Sequence, residues 1–371
     1  MSHPQQLPDR SEMKVKYLHG RPSAHYTHAN FARQVGADFE FIDFKYRWQD
    51  QHRNFFYIIY SWFYCAKNYT NRKLYNLFLV DNLHFPPVIM KYLFLKRKRQ
   101  KIIVYLGSHT MYFMYAGKFS RLNLLAHKMA LRSYDAIICE GEMAEFFVRA
   151  VLKKRIPPLY TVFNGIPDSQ NLFEAQQAVS DGKKLLFIGS YDNAFRFTYK
   201  GIDLMLEAFA LAYKKDPGLT FTLVGSPEHS LLEAALSRME EGARNAVTIL
   251  DYSSNLREII FGHHLYLHCS RGDAFPTTVL IALSAGMPTI VNELNGTRGI
   301  VRQVDKRLVA GEGAADIAES ILWFVNLPPE EKERIRGTAR SISKEYTETK
   351  AVDRFKTVFE EIKTDLFGIK Q

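Results

Sequence analysis

Residues 270–286 read SRGDAFPTTVLIALSAG and run on into MPTIV. Just before them, LYLHCS (265–270) is a short, nearly continuous apolar run. Such a run suits a strand covered on both faces. Pro276 then falls near the first turn of a helix, where proline is well suited. TTVLIALSA follows at helical length, Gly286 ends it as a C-terminal glycine often does, and residues 288–293 read as the next strand. Strand, loop, helix, glycine and strand in that order make one βαβ step of a parallel sheet. Ligands in such sheets bind just outside the carboxyl ends of the strands. The loop 270–276 and the helix start behind it are therefore where chemistry is expected.

The same alternation extends outward in both directions. Strand candidates in the second half are 184–190, 220–226, 246–252, 265–270 and 288–293; helices are expected over 201–215, 230–240, 277–285, 314–326 and 329–346. The first half offers strands at 14–20, 39–44, 77–82, 101–109, 134–141 and 159–166. The pattern predicts an α/β chain of two Rossmann-like, doubly wound domains facing across a cleft. An N-terminal domain is expected over 13–168, a polar, turn-prone linker over 169–182, and a C-terminal domain over 183–346. A last helix within 347–371 is expected to pack back on the first domain.

The 371 residues are enough for two cores, with 47% hydrophobic and 24% charged residues, a globular composition. The longest apolar run, 55–66 (FFYIIYSWFYCA), is too short to span a bilayer, and residues 1–12 are polar and read as a leader rather than a signal peptide. Three scattered cysteines, Cys65, Cys139 and Cys269, argue against a disulfide framework and for a reducing, cytoplasmic compartment. Cys139 and Cys269 sit in apolar runs and read as small core residues. Charge is uneven: residues 1–168 carry 25 Lys+Arg against 12 Asp+Glu, a net of +13, and residues 169–371 carry 24 against 27, a net of −3. The basic half also holds 31 of the 50 aromatics, which suggests an anionic partner surface.

Two loops stand out for chemistry. In GSYDNAFRFTYKG (189–201) a strand ends at Gly189 and Lys200-Gly201 opens a helix. A cation beside a helix start suits a diphosphate; a solvated loop lysine is the alternative. In the 270–286 segment, Thr277 and Thr278 offer free N–H groups and hydroxyls at the helix start. Asp273 beside them repels phosphate and so should face a neutral, hydroxyl-rich group such as a sugar; helix capping is its alternative role.

Taken together, LLFIGS, YKGIDLMLEAF, FTLVGS, VTILDY, LYLHCS, DAFPTTVLIALSAGMPTIV and NGTRGIV, in that order, resemble the second domain of glycosyltransferase family 4, the retaining GT-B enzymes. The first half resembles the family more loosely, through YDAIICEGEMAE (134–145) and VFNGIP (162–167). The resemblance implies transfer of a glycosyl group from a nucleoside-diphosphate sugar, which is a donor substrate rather than a resident cofactor. It implies Lys200, Asp273 and His109 as the catalytic residues. Gly20, Arg21, Gly189, Ser190, Lys200, Tyr252, Phe275, Pro276, Thr277, Thr278 and Ile281 fall at positions lining the donor.

Several of these positions depart from the family's pattern. Its first glutamate is Asp273, its Gly-Arg arginine falls on Ser190, and a glycine is replaced by Pro276. The glutamate that bonds the ribose hydroxyls in the family falls on Ile281, which accepts no hydrogen bond; ribose hydroxyls buried without partners cost about 1–3 kcal/mol. Arg196 and Arg21 are candidate substitutes for the missing arginine.

The implied chemistry is a front-face transfer with retention and without a covalent intermediate, since no nucleophile–base pair is evident. Helix-start N–H groups and Lys200 would stabilise the departing diphosphate, so that no metal site is expected. His109 would meet the donor sugar from the first domain on closure. For the acceptor, residues 85–101 (FPPVIMKYLFLKRKRQK) and 112–121 (YFMYAGKFSR) couple apolar or aromatic runs to cations. Such segments suit an anionic membrane interface; a core helix with a basic end is the alternative. The expectation is a peripheral membrane enzyme of the cytoplasm acting on a lipid, lipid-linked or polysaccharide acceptor. A catalytically inert sugar-nucleotide- or glycan-binding protein is the rival. No nucleic-acid recognition motif is present, and a nucleic-acid partner is not expected.

Overall fold

The structure, a computed structural model, describes residues 13–19, 26–41, 74–81, 100–107, 109–174, 181–253 and 255–368. The apolar run 55–66, the basic segment 85–99, Cys65, Gly20 and Arg21 lie outside the described residues. The chain divides into two compact units, one made of residues 1–163 and 351–371 and the other of 164–350.

The first unit runs β1 (Val15–His19), α1 (Tyr26–Gln34), β2 (Asp38–Phe41), β3 (Leu77–Asp81), β4 (Lys101–Leu106), α2 (His109–Tyr115), α3 (Arg121–Ser133), β5 (Ala136–Glu140), α4 (Gly141–Leu152) and β6 (Leu159–Val162). All neighbours pair in parallel in the order β2-β1-β3-β4-β5-β6. β1, β3 and β4 are buried almost throughout, as continuous apolar runs in a doubly covered sheet should be. Val15, Tyr17, Leu79, Ile103 and Ile138 form its core with Phe31 of α1.

The second unit runs β7 (Lys184–Ile188), α5 (Ala194–Tyr199), α6 (Ile202–Tyr213), β8 (Thr220–Val224), α7 (His229–Leu236), α8 (Glu241–Asn245), β9 (Val247–Leu250), α9 (Leu256–Phe261), β10 (Leu265–His268), α10 (Thr277–Ser284), β11 (Thr289–Asn292), α11 (Arg298–Val304), β12 (Val309–Ala310), α12 (Ala314–Val325) and α13 (Pro329–Ser343). Its sheet is parallel in the order β12-β11-β10-β7-β8-β9. The order reverses direction between β7 and β10, the switch point at which such sheets open a ligand crevice.

The final helix, α14 (Glu348–Phe367), carries the chain from the second unit back into the first. Ala351, Val352, Phe355, Phe359 and Ile362 recur at helical spacing and enter the first unit's core, with Phe355 stacked on Phe31 at 4.6 Å between ring centroids.

Some boundaries differ from those the sequence suggests. The helix expected from residue 230 to 240 ends at Leu236, and the one expected to reach 346 closes at Ser343 with a 3₁₀ turn, Lys344–Tyr346. A short helix, α5, precedes Lys200 where a plain loop was expected: the Asn193 side chain accepts from the Arg196 N–H and caps it. β12 was not expected, because two residues carry no periodic signal.

Candidate active site

The loops after β7 and β10 flank the switch point of the second sheet, and each delivers a charged side chain there. Lys200 follows α5 and Asp273 follows β10; Lys200 Nζ donates to Asp273 Oδ2 in a partly buried ion pair. Three features place Lys200. Arg271 forks onto Asp203 through two bonds of 2.7 and 2.8 Å and also donates to the Thr198 carbonyl at 2.8 Å. The Arg271 N–H donates to the Tyr199 carbonyl at 2.9 Å. The β10 loop is thus bonded to the chain on both sides of Lys200. Gly201, with φ of 70°, then begins α6 so close to β10 that a Cβ would stand 2.1 Å from the Cys269 carbonyl oxygen. Only glycine fits that approach and that backbone conformation.

Asp273 is held as firmly. Its N–H donates to Ser270 Oγ at 3.1 Å, and its carbonyl accepts from the Gly296 N–H at 2.8 Å. Gly296 belongs to the loop after β11, and a Cβ there would lie 1.4 Å from the Ala274 carbonyl oxygen. Asn295 of the same loop donates to the His268 carbonyl at 2.8 Å and accepts from both the N–H and the hydroxyl of Thr297.

Behind the pair lies His268, fully buried, with Nε2 3.2 Å from Asp273 Oδ2. Burial pushes the imidazole pKa down, against the pull of Asp273, so the ring is neutral at pH 7. Burial alone would raise the Asp273 pKa, but the Lys200 charge and the His268 bond outweigh it and hold the carboxyl well below its usual range. An ionised carboxylate only accepts, so His268 Nε2 carries the proton. Tyr266 Oη, 3.5 Å from His268 Nδ1, donates to the Ile188 carbonyl at 3.1 Å and also bonds the Thr278 side chain. It therefore joins β7, β10 and the first turn of α10.

α10 begins at Thr277 with Pro276 as its N-cap, one position earlier than a first-turn proline, and no side chain caps it. Its first N–H groups have no partner within the helix, and Thr277 and Thr278 are half-buried beside them. Phe275 and Pro276 are buried. Ile281 is 2% exposed and lies among the apolar residues of the helix.

Other candidate positions are more scattered. Gly189 directly follows β7, and its N–H donates to the Val224 carbonyl at 3.0 Å. Ser190 Oγ accepts from Arg196 at 2.9 Å, and Arg196 also pairs with Asp192 at 3.1 Å. Arg196 thus stands beside the serine that replaces the family's arginine. Tyr252 is 79% exposed and follows β9, separated from β10 in the sheet by β7 and β8. His109 is the first residue of α2, directly after β4.

His268, Asn295 and Arg271 were not singled out from sequence. A histidine inside the apolar run LYLHCS was the available signal for His268, because a buried imidazole requires a partner.

The first sheet also carries a buried polar group at its carboxyl end, beside its own reversal of order between β1 and β3. His28 Nδ1 lies 2.6 Å from Asp81 at the end of β3, and Nε2 lies 3.8 Å from Glu140 at the end of β5. Its ring packs on Tyr105 with centroids 4.0 Å apart. Burial alone would lower the pKa of His28, but the two carboxylates raise it to about 9. Among the described residues no group of three or more His, Cys, Asp or Glu is placed to hold a metal ion.

Comparison with known proteins bears on this geometry. Residues 182–326 match the model of the family "Glycosyl transferases group 1". A relative from Streptococcus parasanguinis, the GtfA subunit of UDP-N-acetylglucosamine–peptide N-acetylglucosaminyltransferase, is 27% identical over 177 residues, 45% of this chain and 34% of that protein. This chain thus spans about a third of that relative's length. Anabaena HepE, solved with UDP and glucose, superposes with a TM-score of 0.68 at 15% identity over 95% of this chain and 100% of that one. WaaG, a glycosyltransferase involved in lipopolysaccharide biosynthesis, gives 0.65 at 16% identity over 91% and 98%. At these identities the solved structures speak to fold. The likeness covers both units, and the fold is the GT-B type.

Proposed function

We propose that this chain, whose residues 182–326 match the model of the group 1 glycosyl transferases, moves a sugar from a nucleoside-diphosphate donor to a lipid, lipid-linked or polysaccharide acceptor with retention at the anomeric carbon. The observation that carries this proposal is the Lys200–Asp273 pair at the switch point, beside the uncapped start of α10. The donor diphosphate would lie against the α10 N–H groups and the Lys200 ammonium. As the bond from the anomeric carbon to the diphosphate oxygen breaks, charge grows on the leaving group, and these donors stabilise it. The acceptor hydroxyl would attack from the same face and lose its proton to the departing diphosphate.

Asp273 has two tasks in this scheme. Its Oδ2 takes the bonds from Lys200 and His268. Its Oδ1 would accept a hydroxyl of the donor sugar. Neutral His268 fixes the carboxylate without adding a second positive charge that would weaken it as an acceptor. HepE was solved with UDP and glucose, which makes a uridine donor the first to test.

The acceptor and the setting rest on charge and on relatives. The first half is strongly basic, WaaG acts in lipopolysaccharide biosynthesis, and among the described residues no helix is long and apolar enough to cross a membrane. Peripheral attachment to an anionic membrane in the cytoplasm fits these facts.

A thermal-shift series with UDP, GDP and ADP and their sugars tests donor binding, because a ligand of the native state raises the melting temperature. Product anomers followed by NMR test retention. The proposal fails if no nucleotide shifts the melting curve, or if Lys200→Ala leaves donor turnover unchanged.

A second reading, a binding protein without turnover, is favoured by buried Ile281 at the ribose position. It predicts nucleotide-induced stabilisation with no donor consumption over a panel of acceptors.

A further inference from the structure

We propose that α3 is the surface through which this protein docks on anionic phospholipid, an inference that rests on the membrane-surface setting above and gives it a location. Helix α3 turns an unusual face outward. Leu122, Leu125 and Met129 are 59%, 54% and 36% exposed, and their spacing of three and four residues aligns them in one stripe. The buried face holds Asn123, Ala126, His127, Ala130, Leu131 and Ser133.

Local hydrogen bonds tie His127 and Ser133 of that inward set to the helix backbone, and Ser120 caps its start. Ser120 Oγ accepts from the Asn123 N–H at 3.3 Å, His127 Nδ1 lies 2.7 Å from the Asn123 carbonyl, and Ser133 donates to the Ala130 carbonyl at 2.6 Å. His127 also packs edge-on against Phe119 at 4.7 Å. At the far end Arg132 donates to the carbonyls of Leu152 and Lys154, which fixes the rotation of the helix. Leu122, Leu125 and Met129 therefore point outward, while Leu131 is the one large apolar side chain held inside with the small and polar ones.

Charge selects the occupant. Lys118 and Arg121 are exposed and Lys128 is half-exposed, all within a turn of the stripe. Between Asp81 and Asp135 the sequence contains ten Lys or Arg and no Asp or Glu. An apolar stripe framed by cations, with no carboxylate in the whole stretch, matches a layer of anionic headgroups over acyl chains.

The test uses the full chain and sedimentation with phosphatidylcholine vesicles, with and without phosphatidylglycerol. Binding is expected to the phosphatidylglycerol vesicles alone and to fall as salt rises. The double variant Leu122→Ser/Leu125→Ser should lower the partition coefficient at least about tenfold. Lys118→Gln and Arg121→Gln should each lower it about fivefold and reduce its salt dependence. All are surface changes, so an unchanged melting temperature is the control for folding.

The inference is overturned if the double variant binds as the unaltered chain does, or if phosphatidylglycerol adds nothing. It is also overturned if light scattering shows a dimer that the same variant dissociates, since the stripe would then cover a second copy. The UDP-induced thermal shift separates the two proposals. It should be the same in the α3 variants as in the unaltered chain, and its absence throughout would sink the donor assignment while leaving the vesicle result standing.

Discussion

Lys200 and Asp273 lie 73 residues apart in sequence and meet as an ion pair between the ends of β7 and β10, adjacent strands at which the second sheet reverses its order. The pair connects stability to the expected chemistry, since the same ammonium that keeps a buried carboxylate ionised is the cation offered to a diphosphate.

Removing that ammonium should therefore show in both. Lys200→Met leaves Asp273 buried against neutral His268 and should cost about 2–4 kcal/mol in urea denaturation, somewhat less than the roughly 3–5 kcal/mol for breaking a fully buried pair because both groups keep partial solvent access. The pH dependence has a definite sign. The Asp273 pKa is depressed in the folded chain, so its contribution is present above the unfolded value near 4 and lost as pH falls. In Lys200→Met that loss should begin at higher pH. An unchanged acid limb in the denaturation curves would show that the pair contributes nothing.

Gly201→Ala probes position without touching charge. A Cβ would stand 2.1 Å from the Cys269 carbonyl oxygen at a φ of 70°. The start of α6 must then withdraw from β10, at a cost of about 3 kcal/mol or more. UDP affinity should fall with it, because Lys200 is the preceding residue. The informative measurement is UDP binding at a temperature where the variant is still folded. Retained affinity there would mean that the α6 start does not hold the donor.

The sequence made the sheets legible because strands covered on both faces are continuous apolar runs, as in IIVYL of β4 and LLFI of β7. It did not reveal β12, which pairs Val309 and Ala310 with β11 only by tertiary context. Lys200 and Asp273 stood out as charged residues in loops that precede helix starts, but their meeting depends on β7 lying next to β10, a long-range fact no local pattern encodes. Asn295 and Arg271 are silent for the same reason, and His268 shows only as a polar residue inside an apolar run. Asn295 and Arg271 act through partners distant in sequence, the His268 carbonyl and Asp203, whereas His268 meets Asp273 only five residues on, where the turn of the β10 loop brings the carboxylate back.

The first unit carries its own titration signature. His28 is buried between Asp81 and Glu140 and over Tyr105. Burial disfavours its charge, yet the carboxylates raise its pKa from 6.5 to about 9. A raised folded-state pKa means that the stabilisation is fully present below about pH 6.5 and is lost as pH rises through about 9. The shift corresponds to about 3 kcal/mol. Melting of the unaltered chain should fall between about pH 6.5 and 9.5, and His28→Asn should flatten that interval. An imidazole signal that titrates near 6.5 by NMR would contradict the charged assignment.

Ile281→Glu is the sharpest probe of the enzyme question. Ile281 is 2% exposed on α10, four residues beyond Thr277, at the position where the group that this chain resembles places its ribose-binding glutamate. Without nucleotide, a carboxylate there is desolvated and should destabilise the second unit by about 2–4 kcal/mol. If the donor ribose lies against this position, UDP restores hydrogen-bond partners to that carboxylate. The UDP-induced rise in melting temperature should then be larger for Ile281→Glu than for the unaltered chain, and donor turnover should rise with it. An equal rise in both would separate Ile281 from the ribose and remove the main reason to regard the chain as a binder without turnover. A larger rise without turnover would place the defect elsewhere, with Ser190 in place of the family's arginine the next residue to restore.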